Sequence, residues 1–207
     1  MKLLLVISTA LLVATAAFAG TSSYGWEDGT GTILGFFGNV GTAANVTSPV
    51  YAGGHSLYLQ EAPIGGTPQA YVAYIEGCLD GDIIDADFWC YDVTEGGFPS
   101  GRIWAHFGYD GDVNAYGGSA GGNGTYSDGL GWSDLAWSWT FVTEDPTYGT
   151  RTAMIIEARI YSADGLDDMN VDQITVTAPD HCTVTFPGQD PTSTEATTWG
   201  SVKSLFR

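Results

Sequence analysis

The feature that most constrains this chain is the spacing of its apolar residues. From Tyr24 to Pro187, short β-type runs alternate with clusters of Gly, Asp, Asn and Pro, and no stretch sustains helical periodicity. Strands are predicted at 32–37, 55–61, 69–77, 83–93, 101–107, 136–143, 152–161 and 171–177, with a last short one near 182–186. Many short strands punctuated by turn residues fold as an antiparallel β-sandwich or jelly roll. The expectation is therefore an all-β fold, with a single domain over residues 20–187. The Gly-rich segment Gly108–Gly131 is too long for a plain connection and is expected to be a mobile or functional loop.

Strand parity separates core from surface. Leu57/Leu59, Ile103/Ala105/Phe107 and Met154/Ile156/Ala158/Ile160 point inward. Their alternates, Tyr58/Gln60, Arg102/Trp104/His106 and Glu157/Arg159/Tyr161, then point outward. Strand 83–93 is ambiguous, because Phe88/Cys90 and Trp89/Tyr91 are both bulky pairs, as in a strand covered on both faces. Trp137, Trp139 and Phe141 share a face and read as core.

Charge narrows the partners. With 6 Lys+Arg against 24 Asp+Glu and a net charge of −18, the chain lacks the clustered cations that hold phosphate backbones. Nucleic acids and anionic membrane surfaces are excluded as expected partners. At the start, Lys2, the apolar run Leu3–Val13 and the small-residue site Ala17-Phe18-Ala19 have the form of a secretory signal peptide over residues 1–19. No later apolar run is long enough to span a bilayer, so the expected location is extracellular, with attachment to the cell surface as an option. After Pro187 a polar linker over 188–198 leads to the segment WGSVKSLFR at 199–207. This basic, aromatic end on an acidic body reads either as a helix docking on its own domain or as a sorting or docking segment read by cell-surface machinery.

Export permits disulfides, and the three cysteines allow one bridge. Cys78 and Cys90 are the preferred pair because they flank the turn-like segment LDGD; the alternative is three buried thiols. A nucleophilic triad is not signalled, since the only histidines are His55, His106 and His181 and no GxSxG-type elbow precedes a helix. Nor is a zinc site, because no histidine pair sits at ligand spacing and no two cysteines are arranged as CxxC. The carboxylates Asp80, Asp82, Asp85 and Asp87 cluster without a glycosidase-like arrangement, so no enzyme is expected. A structural calcium ion is a better use for acidic side chains. Glu27 and Asp28 lie near the domain's start and Asp172 in its final long strand, and if those strands are neighbours the three carboxylates converge to staple the ends of the sandwich.

The segments GWEDGT at 25–30, GGHSLYL at 53–59, GCLDGDIIDADFWCYDV at 77–93 and DDMNVDQITV at 167–176 occur in an order that resembles jelly-roll carbohydrate-binding modules of the cellulose- and xylan-binding type, a galactose-binding-like β-sandwich. The resemblance covers most of residues 24–178. It implies a calcium near Glu27 and Asp172, and glycan binding on a concave sheet or at the loop tips. Aromatic rings suit the apolar faces of sugars, and polar side chains suit their hydroxyls. Trp104, Trp89, Tyr91 and Tyr58, together with Arg102, Gln60 and Glu157, are accordingly the expected ligand group. The expected function is a secreted, non-catalytic, calcium-stabilised carbohydrate-binding module. The alternatives are a structural or adhesive surface protein that self-associates through exposed aromatics, and a small glycan-acting enzyme.

Overall fold

The computed structural model describes residues 19–63, 65–92, 100–124, 127, 130–161, 168–189 and 192–193. The expected leader up to Phe18 and the segment 199–207 lie outside the described residues. The strands run in chain order as β1 (Ala19–Tyr24), β2 (Gly35–Phe37), β3 (Val40–Val46), β4 (Ser56–Glu61), β5 (Gln69–Glu76), β6 (Ile83–Asp92), β7 (Ser100–Gly108), β8 (Ser119–Gly122), β9 (Gly131–Thr140), β10 (Glu144–Asp145), β11 (Gly149–Thr150), β12 (Ala153–Tyr161), β13 (Asp168–Pro179), β14 (Thr183–Thr185) and β15 (Thr192–Ser193). No helix, and so none long and apolar enough to cross a membrane, occurs among them.

Two antiparallel sheets form a β-sandwich. The six-stranded sheet has the order β3-β4-β13-β6-β9, and β1 also pairs with β13. The seven-stranded sheet runs β15-β14-β5-β12-β7-β8, with β2 also on β5. The long strand β13 takes β4 along Asp168–Val171 and β1 along Ile174–Pro179, so two short strands are seated end to end beside it. Between them the ladder to β6 shifts register, and Gln173 adopts a φ of 51°. This bulge switches parity, so that Met169 and Val171 before it and Ile174, Val176 and Ala178 after it all face the core.

The core fills the space between the sheets, and the predicted inward sets on β4, β7 and β12 all lie in it. Each fully buried Leu, Ile or Phe contributes roughly 1.5–3 kcal/mol. Strand β6 resolves cleanly: Phe88 and Cys90 face inward, and Trp89 and Tyr91 outward. On the edge strand β9, Trp139 is buried, as is Phe141 just beyond it, but Trp137 is 42% exposed, a departure from the expected core trio. Strands β1, β3 and β8 were not predicted, because their small polar sequences lack an apolar alternation. Thr192 and Ser193, expected in a linker, instead pair with β14.

Candidate functional site

The outward face of the seven-stranded sheet carries a charged network on an aromatic floor. Antiparallel register sets Trp104 opposite Glu157 and Arg102 opposite Arg159. Glu157 is fully buried and accepts hydrogen bonds from His106 Nδ1 at 2.5 Å and from Arg159 Nε at 2.6 Å. The guanidinium groups of Arg102 and Arg159 lie 4.9 and 4.6 Å from the Trp104 ring centroid, and the indole N–H donates to Ser119 Oγ at 3.0 Å. His106, outward as predicted, is nonetheless 1% exposed. It is covered by Tyr71 and Tyr116 at ring distances of 5.0 and 5.5 Å, and its Nε2 has no hydrogen-bond partner among the described residues.

Beside this network lies a cleft of about 360 Å³ lined by Phe37, Gln69, Tyr71, Asn114, Tyr116 and Arg159. Burial, with the Glu157 charge acting in the same direction, pushes the Tyr71 hydroxyl up to about 12. The wall carrying Asn114 and Tyr116 comes from the first part of the Gly-rich segment, residues 109–117, which is pinned at both ends. Tyr74 donates to the Tyr109 carbonyl, Gly111 N donates to Glu76, and Gly117 N donates to the Phe107 carbonyl at 2.6 Å. Glycine is required at position 35, where a Cβ would run into Asn114 Oδ1 at 2.5 Å and the Tyr71 ring at 2.9 Å.

Of this site, sequence reasoning named Trp104, Arg102 and Glu157 but missed Tyr71, Tyr116, Gln69, Asn114 and Phe37. The ladder between β5 and β12 shifts register beside Glu157, so Tyr71 and Tyr74 share the outer face while Val72 and Ala73 both face the core. Strict alternation would place Tyr71 and Tyr74 on opposite faces.

The expected ligand group is split by the sandwich, a correction to the sequence reading. Trp89, Tyr91, Tyr58 and Gln60 belong to β6 and β4 and face outward from the six-stranded sheet, across the core from Trp104, Arg102 and Glu157. Sheets pack about 10 Å apart, so the two sets serve different surfaces. On their own face the rings are engaged with one another. Tyr51 stacks on Trp89 at 3.9 Å, and Trp132 meets Tyr51 and Tyr91 edge-on at 5.8 and 5.2 Å. The Tyr58 hydroxyl donates to Asp168 at 3.0 Å.

The carboxylates expected to hold calcium divide in a similar way. Asp172, fully buried, accepts from the backbone N–H groups of Tyr51, Ala52 and Gln173. Glu27 accepts from Gly54 and His55 in the same turn. Burial pushes the Asp172 carboxyl up, and the Glu27 charge adds to this against the three donors. Asp28 instead accepts from Thr30 N, Gly31 N and the Tyr24 hydroxyl; these donors outweigh its slight burial and hold it below the usual carboxylate range.

The expected Cys78–Cys90 bridge is absent: all three cysteines are buried thiols. Cys90 packs in the core against Met169 Sδ at 3.7 Å, while Cys78, beyond the end of β5, donates to the Ile75 carbonyl at 3.6 Å and faces Cys182.

No protein-family model matches this chain, and no curated protein matches it. Solved structures do. The tandem CBM22-1–CBM22-2 domain of Paenibacillus barcinonensis Xyn10C aligns over 80% of this chain and 48% of its own length, at 15% identity and a TM-score of 0.50. The single CBM22-1 xylan-binding domain of the same protein aligns over 76% and 93%, at 13% identity and a TM-score of 0.47. A cyclase from Fischerella sp. TAU aligns over 77% and 84%, at 13% identity and a TM-score of 0.41. The chain thus has the β-sandwich fold of carbohydrate-binding modules and spans about half of the tandem domain.

Proposed function

We propose that this chain is an exported, non-catalytic carbohydrate-binding module that takes a glycan in the cleft between Tyr71, Tyr116 and Arg159. One observation carries the reading: aromatic rings, amide side chains and Arg159, which is anchored by the buried Glu157, line a single open cleft. A sugar offers apolar ring faces to Tyr71 and Tyr116, and hydroxyls to Gln69, Asn114 and Arg159. Arg159 keeps donors to spare, because only its Nε is taken by Glu157. The tandem CBM22 domain supplies a precedent for carbohydrate binding on this fold.

A calcium ion belongs to the same proposal, held by Glu27 and Asp172 but not by Asp28. The donor set fits a hard cation: two carboxylates share one turn, and one of them is fully buried. The residues beside them, Trp26 and Gln173, hold positive φ values of 60° and 51°, a backbone strain that accumulates at ligand clamps. When bound, calcium would supply the positive charge that offsets the burial of Asp172.

The test is a glycan-array screen followed by calorimetry on wild type and Tyr116→Ala. Tyr116 is 52% exposed, so its removal should leave folding intact while weakening binding tenfold or more, about 1.4 kcal/mol. Selective glycan retention lost in this variant is expected. If no glycan is retained and the chain self-associates, the adhesive alternative replaces the proposal. For calcium, the thermal midpoint should rise with added ion and fall with chelator, and Asp172→Ala should abolish the response while Asp28→Ala keeps it.

A further inference from the structure

We propose that Cys78, Asp82, His181 and Cys182 form a second metal site, one that takes a borderline-soft divalent cation of the zinc type. The four side chains come from two segments joined by the sheet. Pairing of Thr183 with Glu76 between β14 and β5 sets the start of β14 beside the turn that carries Cys78 and Asp82. His181 Nε2 lies 2.9 Å from Asp82 Oδ2, Cys182 Sγ lies 4.0 Å from the same oxygen, and these three ligand atoms fall within 4.8 Å of one another. Cys78, whose thiol faces Cys182 and donates to the Ile75 carbonyl at 3.6 Å, stands just outside this group and is the next donor to it.

Two thiolates, an imidazole and a carboxylate are the donors that zinc accepts in a closed tetrahedral site. Neighbouring ligand atoms around such an ion stand roughly 3.3–3.8 Å apart, as bond lengths near 2.0–2.3 Å require. Asp82, His181 and Cys182 therefore need only small side-chain movements to close on an ion, which His181, with 41% of its side chain exposed, is free to make, while Cys78 must turn from the Ile75 carbonyl to join them. Asp110 lies near enough to Cys78 to act on it electrostatically, and its charge favours a cation. Binding would replace the two thiol protons with the ion and release them to solvent. The site would tie the turn after β5 to the start of β14, and so fasten the C-terminal strands to the sheet that carries the cleft.

The experiment is a Co²⁺ titration of the reduced, metal-free full-length chain, followed by displacement with Zn²⁺. The expected result is a thiolate-to-cobalt charge-transfer band that saturates at one ion per chain and disappears on adding zinc. Cys182→Ser should halve the band, and Cys90→Ala should leave it unchanged. His181→Ala should weaken affinity tenfold or more while keeping the band. The proposal is overturned if the folded, reduced protein gives no band, or if His181→Ala and Asp82→Asn leave affinity unchanged, which would assign a bare dithiol. It is also overturned if peptide mapping of the protein as isolated from an oxidising compartment finds a Cys78–Cys182 disulfide. Since neither cysteine lies in the cleft, loss of metal binding and loss of glycan binding report on separate proposals.

Discussion

The two outer faces of the sandwich are both rich in aromatic residues, yet they are built for different ends. On the six-stranded sheet Tyr51, Trp89, Trp132 and Tyr91 pack ring against ring. The groups around them are acidic, with Asp85, Asp87, Asp134 and Asp168 on the same face. On the seven-stranded sheet the rings of Tyr71 and Tyr116 border open space, and two of the chain's six basic residues, Arg102 and Arg159, converge on Trp104. Aromatic side chains that satisfy one another stabilise the sheet beneath them. Those held apart by a charged network leave a surface for something else.

The comparison breaks hardest at Glu157. Glu157→Ala leaves the buried His106 and the partly buried Arg159 without their shared acceptor and should cost about 3–5 kcal/mol in urea unfolding as well as glycan binding. A smaller effect separates the faces more sharply. Trp89→Ala removes the ring stacked on Tyr51 and should cost about 2 kcal/mol of stability with glycan affinity unchanged. Trp104→Ala should reverse the pattern, losing affinity by calorimetry as Arg102 and Arg159 lose their platform. Equal effects of the two tryptophan variants on affinity would dissolve the distinction.

The smallest effect concerns the acidic face. Burial first, and the Asp134 charge second, push the Asp87 carboxyl above its ordinary value. The native state therefore holds this proton more tightly than the unfolded chain does, so stability falls as pH rises from about 4 through the raised value. Asp87→Asn should flatten that part of the stability profile in urea titrations between pH 4 and 7 and leave the cleft untouched.

The β-sandwich was legible in the sequence because alternation survives wherever a strand is regular, as in β4, β7 and the core set of β12. The candidate site was only half legible. Trp104, Arg102 and Glu157 follow from parity, but Tyr71 reaches the cleft through a register shift and Tyr116 through a loop pinned by distant strands. Which outward residues share a sheet depends on strand order, and parity does not contain strand order; hence Trp89 and Trp104 were grouped although the core separates them. The same limit hid the cluster at Cys78 and Cys182. Ligand spacing within a single segment gives no sign of a histidine and a cysteine brought in by another strand.

The place of β13 has a consequence for how the chain is made. The strand lies at the centre of the six-stranded sheet, where β1, β4 and β6 all pair with it, and contacts such as Thr21 with Thr177 join residues 156 positions apart. That sheet cannot close until β13 has been synthesised, because β1 waits for it. Such non-local pairing folds on the slow side, in milliseconds to seconds. A nascent chain that stays open for so long remains threadable, the state in which a polypeptide can be passed through a narrow channel before it locks into shape.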